Sequence, residues 1–154
     1  MSSSSESSNP VVKSLLDGTA PQPARLAAAS GLLPLPHADL LEVLVALKDA
    51  SEADIAQAAA ETLESQENDD LLQSAKSEDT AATVLDYLAS ISGNGSRQIH
   101  EAVVTNRKTL DQTIATLAGK TSDASVLELI AINQQRLVRF PRIIDAILEN
   151  PARS

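Results

Sequence analysis

The clearest hydrophobic pattern lies in Val126–Asn150, VLELIAINQQRLVRFPRIIDAILEN. Apolar residues at Leu127, Ile130, Leu137 and Val138 predict one short helix. Ile143, Ile144, Ile147 and Leu148 predict a second, with two pairs stacked at i, i+4 on one buried face. The two meet at Pro141, which suits a first helical turn because its missing N–H is not needed there. Upstream, Asn9-Pro10 predicts a helix start and Gly18 its end. A second helix is expected over Ala24–Ser30, closed by Gly31, followed by the stiff apolar linker Leu32–Pro36. A third, Pro36–Lys48, carries Leu40, Leu41, Val43, Leu44 and Leu47. A fourth is expected to be capped by Ser51, with an inner stripe of Ile55, Ala58, Ala59, Thr62 and Leu63.

From Asp69 the pattern repeats. Leu71–Ala75 with Thr80–Ser92, Ile99–Val103 with Thr109–Ala118, and Val126–Ile130 with Pro141–Leu148 align as three pairs of short helices. Leu71, Ile99 and Val126 stand 28 and 27 residues apart. Thr80 and Thr109 take the matching position before the second helix and are expected as its N-cap. Asn106 and Asn133 follow the first helix and are expected in left-handed turns. A unit this short cannot bury its own apolar face, so stacking of neighbours must complete the core. The expectation is an all-α chain of about nine short helices. It has a disordered Ser-rich tail at 1–8 and one helical domain at 9–154, divided into cap helices (9–35), a helix pair (36–66) and three degenerate repeats (69–150).

The paired helices, the motif Ile130-Ala-Ile-Asn133 and the step Glu149-Asn150-Pro151-Ala152 resemble the degenerate bacterial α-helical repeat proteins of the HEAT-like and leucine-rich-repeat-variant kind. The resemblance covers roughly Leu32 to Pro151. It implies a short right-handed α-solenoid of stacked helix pairs, in which an Asn-Pro-Ala step opens a fresh unit. Asn9-Pro10-Val11-Val12 resembles the same step at the other end. A fragment of a longer protein and a frayed native end are equally compatible with this pattern.

Composition narrows the core and the compartment. Hydrophobic residues make up 43% of the 154, but the aromatics are one Tyr and one Phe, so the core must be aliphatic. With no cysteine, disulfides and thiolate metal sites are excluded. The segment MSSSSESSNP has neither the basic nor the apolar region of a signal peptide, and no run of eighteen apolar residues occurs. A soluble, cytoplasmic protein with no membrane contact is expected. The net charge of −9 disfavours nucleic acid as a partner. The charge is uneven: residues 1–92 hold 15 acids and 4 bases, residues 93–154 hold 6 and 8. Such a dipolar chain suits head-to-tail stacking, an acidic partner for its basic end, or simply a solvated surface.

Candidate chemistry is sparse. His37 and His100 are far apart in sequence, have no second ligand at helical spacing, and are expected at the start of a helix and on the surface. Glu64, Glu67, Asp69 and Asp70 cluster, but without the loop of an EF-hand; they read as helix-terminal acids. Gly93-Asn94-Gly95-Ser96 lacks the lysine and preceding strand of a phosphate loop; it reads as the end of the Tyr87 helix, with Ser96 as the cap of the next. The feature that stands out is basic. Arg136, Arg139 and Arg142, with Arg97, Arg107 and Lys108, could form a ridge along one side of a stack; the plainer reading pairs some of them with Glu128 or Asp145. Arg107, Lys108, Arg136, Arg139 and Arg142 are therefore the candidate partner-binding residues. No catalytic, cofactor or metal site is expected. The function expected is a non-enzymatic protein–protein interaction or scaffold module. The alternatives are a nucleic-acid binder using the basic half and a piece that self-assembles through its last apolar helix.

Overall fold

The computed structural model describes residues 10–152, and among them it contains eleven helices and no strand. The expected Ser-rich tail and the Asn9 cap lie outside the described residues. The chain is all-helical as expected, but it has more than nine helices. One cause is the break in Val126–Asn150, which forms three helices: α9 (Ala124–Ala131), α10 (Gln134–Arg139) and α11 (Arg142–Glu149). Asn133 makes the break. Its side-chain oxygen accepts the N–H of Arg136 at 3.1 Å, so it caps a new helix. The restart changes the helical phase. Val138, expected inside, is 81% exposed, and Ile144 and Leu148 also face outward while Ile143 is fully buried. Positive φ occurs only at glycines among the described residues, so neither Asn106 nor Asn133 is left-handed.

The chain divides into two compact units. The first comprises residues up to Glu67 together with Asp79–Val84. It holds α1 (Pro10–Asp17), α2 (Gln22–Ala29), α3 (His37–Leu47) and α4 (Ala53–Glu64). Helix α3 contacts each of the other three, and α2 also packs on α4. It buries Leu41, Val43, Leu44, Val45 and Leu47, and with them Glu42, so most of its circumference is core. Helix α2 ends in a Schellman motif. The N–H of Leu32 donates to Ala27 and that of Gly31 to Ala28, and Gly31 at φ +75° supplies the left-handed residue the motif requires. Ser51 does not cap α4. The cap position is Glu52, whose carboxylate instead accepts from Arg25.

The second unit comprises Asn68–Glu78 and Leu85 onward. It contains α5 (Asn68–Lys76), most of α6 (Ala82–Ser90), α7 (Ser96–Thr105), α8 (Asp111–Lys120) and α9–α11. Helix α5 packs on α7, α7 on α9, and α8 on α11. The aliphatic core is formed by residues such as Val104, Ile114, Leu117, Val126, Ile130 and Ile143. Short helices leave many terminal carbonyls unpaired, and buried side chains satisfy them here. Asn106 Nδ2 donates to the carbonyls of Ala75 and Ser77, both at 2.8 Å, and its Oδ1 accepts the N–H of Lys108. Asn150 repeats the arrangement: Nδ2 donates to Ala118 at 2.7 Å and Thr121 at 2.8 Å, and Oδ1 accepts from Ala152. The two have nearly the same backbone, φ −79°, ψ 125° and φ −82°, ψ 124°. Each ends its own helix and ties down the C-terminal end of one about 30 residues earlier. Thr109 is not an N-cap: Leu110 holds that position, and the buried Thr109 hydroxyl donates to Val103 at 2.6 Å. Thr80 is likewise buried, two residues ahead of α6. No helix among the described residues is long and apolar enough to cross a membrane.

Candidate partner-binding groove

The ends of α7 and α9 and the start of α10 enclose a groove of about 550 Å³. Its floor is aliphatic: Val104 is buried and Leu129 partly so, while Ile132 stands at its edge, 73% exposed. Arg107 and Arg136 are its basic members, and Gln134 and Gln135 carry it onto α10. Those two glutamines also line a shallower depression with Val138 and Arg139. No carboxylate lines either one.

The five basic residues expected to bind a partner do not form one ridge. Arg136 is buried, with 7% of its side chain exposed. Its Nη1 donates to the carbonyl of Thr109 at 2.9 Å and to Asp111 at 2.8 Å, and Nη2 donates to the carbonyl of Asn106 at 3.2 Å. It therefore joins α10 to the Asn106–Asp111 turn and is a structural tie. Arg139, more than half exposed, donates from Nε (2.6 Å) and Nη2 (2.8 Å) to the same Asp111. This bidentate bond holds the Asp111 carboxyl below the ordinary aspartate range, with the nearby Arg136 charge reinforcing it against partial burial. Arg107 is exposed and reaches Glu78 only at 3.4 Å. Lys108 adjoins Arg107 without lining the groove, and exposed Arg142 makes no ion pair among the described residues. The groove thus brings together Arg107 and Arg136, the adjoining depression holds Arg139, and Lys108 and Arg142 line neither. The expected pairings with Glu128 or Asp145 do not form; Asp111 takes both arginines.

Sequence reasoning missed the glutamines and Ile132, and it misplaced His100. That residue is 93% buried by residue exposure, and neither ring nitrogen has a hydrogen bond of good geometry. Burial pushes its pKa down, opposed by the nearby carbonyls of Ile91 and Leu88 and by Asp123. His100 forms part of the wall of a larger cavity, about 750 Å³, which also takes in the Gly93–Ser96 turn, Arg97 and Lys120. A signal was present: His100, Val103 and Val104 stand at i, i+3, i+4 on one face. The Gly93–Ser96 turn does separate α6 from α7, but Ser96 is not the cap: Gly95, at φ +83°, holds that position and Ser96 is the first helical residue. Asn68 donates to the carbonyl of Asn94 at 2.8 Å, and a Cβ at Gly95 would lie 2.5 Å from the Asn68 amide. His37 contacts Gln66 at 3.2 Å. No group of three or more His, Cys, Asp and Glu among the described residues stands ready to hold a metal ion. No protein-family model matches the sequence, and neither a curated protein nor a solved structure was found to be similar to it.

Proposed function

We propose that this chain is a non-enzymatic protein–protein interaction or scaffold module, built in HEAT-like fashion as a short right-handed α-solenoid of stacked helix pairs. The observation that carries the reading is the recurring asparagine clamp. Asn106 and Asn150 make equivalent bonds to helix ends 29 to 32 residues earlier. The contacts of α5 with α7 and of α7 with α9 are those of alternate helices in stacked pairs, and α8 meets α11 with the short α10 as an extra helix between them in sequence. Such a frame holds a surface of helix ends rigid, which favours recognition of another macromolecule. The pairing of Arg136 and Arg139 with Asp111, and the acidic chain as a whole, weigh against a nucleic-acid backbone as the target.

Self-assembly is a second reading, supported by Ile144 and Leu148 of α11, 40% and 58% exposed on one face. The test is affinity capture of the tagged chain, with chemical cross-linking, from lysate of its own source. Specific cross-links to another protein are expected. Recovery of the bait alone overturns the module reading, and recovery of bait cross-linked to itself through α11 replaces it with self-assembly.

A further inference from the structure

Apolar side chains as exposed as Ile132 and Val138 are ordinary when scattered singly. These two are not scattered. They flank the same pair of glutamines, Ile132 in the groove and Val138 in the adjoining depression. Together with partly buried Leu129 they form a short aliphatic track along α10. The track is bordered by Arg107 on one side and Arg139 on the other.

The charge of this region differs from that of the chain. Three arginines line the two depressions, and the carboxylates paired with them, Glu78 and Asp111, stand outside the lining. One positive charge remains in excess, in a protein whose net charge is −9. Arg107 is the cation most available to a ligand, since it is 83% exposed and its bond to Glu78 is long. Gln134 and Gln135 add side-chain amides, each both donor and acceptor, which is what an extended peptide backbone requires. With no aromatic side chain in the lining, the surface offers nothing on which a nucleobase would stack.

We propose that this track binds an extended segment of another protein in which aliphatic residues alternate with glutamate or aspartate. The aliphatic side chains seat against Ile132, Leu129 and Val138. A carboxylate displaces Glu78 from Arg107, and the glutamine amides meet the peptide backbone. The proposal rests on the interaction-module reading and names the surface and the chemistry of the partner.

The test is fluorescence anisotropy of the full chain with labelled peptides of about ten residues, which span roughly 30 Å when extended. One peptide alternates Leu with Glu, a second Leu with Lys, and a third Ser with Glu. The Leu/Glu peptide should bind at least about tenfold more tightly than either other, a margin of one decade in Kd. Ile132→Ser combined with Val138→Ser should abolish binding without altering the melting curve, because both side chains are exposed. Amide resonance shifts in the wild type should fall on residues 129–138. Equal binding of the Leu/Lys peptide, insensitivity to the double substitution, or no binding of any peptide overturns the proposal. Tighter binding of a single-stranded oligonucleotide than of the Leu/Glu peptide also overturns it. The double variant separates this failure from that of the broader reading. If it captures the same cellular partner as the wild type, the track is refuted and the module stands. If neither form captures a partner, the module itself is refuted.

Discussion

The two units solve the same problem differently. The first holds the two longest helices, 11 residues in α3 and 12 in α4, beside two of 8, and surrounds α3 with aliphatic contacts. The second has helices of 6 to 10 residues, so unsatisfied terminal groups make up a larger share of its backbone. It answers with buried polar ties: Asn106 and Asn150 on helix ends, Thr109 on Val103, and Arg136 on two carbonyls and a carboxylate. Charge follows the same division. By sequence the first unit holds eleven acids and three bases, the second ten and nine. In the second unit some of those bases are structural. Removing a polar tie should therefore damage the second unit in a way that has few counterparts in the first.

The largest effect is expected from Arg136→Ala. It strands the carbonyl of Thr109, takes one of two donors from that of Asn106, and removes one partner of Asp111. Three hydrogen bonds from a buried charged donor are lost together, at a cost of about 3 kcal/mol or more. The urea midpoint should fall accordingly, and hydrogen exchange should quicken in α8 to α11 while α3 keeps its protection. A loss below about 1 kcal/mol would class the bond with ordinary surface pairs and remove the contrast between the units.

The asparagine clamps come next. Asn106→Ala and Asn150→Ala each leave two helix-end carbonyls without their donor, at a cost of about 2 kcal/mol. Asn→Asp sharpens the point. It keeps the acceptor oxygen but replaces the Nδ2 donor, so it should destabilise at least as much as Ala. If Asp restores stability at either position, the accepted bond from Lys108 or Ala152 is the important one and the clamp is misassigned.

Most helices could be read from the sequence because apolar spacing at i, i+3, i+4 survives in single segments. Leu41, Leu44, Ile55, Leu63, Ile114, Ile130 and Ile143 are all buried on the faces that this spacing assigns. The break at Asn133 could not be read, because Gln134, Gln135 and Arg136 are acceptable helix residues and the apolar period runs on past them. In the sequence Asn150 reads as part of an Asn-Pro-Ala step, yet its side chain reaches backward onto the end of α8. The fate of the arginines was hidden for a related reason. Arg136 and Arg139 find Asp111 25 and 28 residues away, a distance that local charge patterning does not report. The groove and its adjoining depression were therefore half legible: their three bases were anticipated, but their burial, their pairing and the aliphatic track between them required the fold.

The smallest effect concerns His100, and it separates burial from bonding. A histidine whose folded pKa is depressed binds fewer protons folded than unfolded, so stability rises with pH across the interval between the two values. Its contribution is fully present above the unfolded value of about 6.5 and is lost as pH falls from there toward the folded value. Between pH 7 and pH 5 the wild type should lose stability gradually, and His100→Gln, which cannot take up the proton, should show a flatter profile. Asp111 has the same sign but a lower window, since its unfolded value is about 3.9, and its effect appears only in stronger acid. Urea midpoints measured at several pH values distinguish the two. If wild type and His100→Gln share one slope from pH 7 to 5, His100 is accommodated in both protonation states, and the carbonyls of Leu88 and Ile91 bond its charged ring well enough to offset burial.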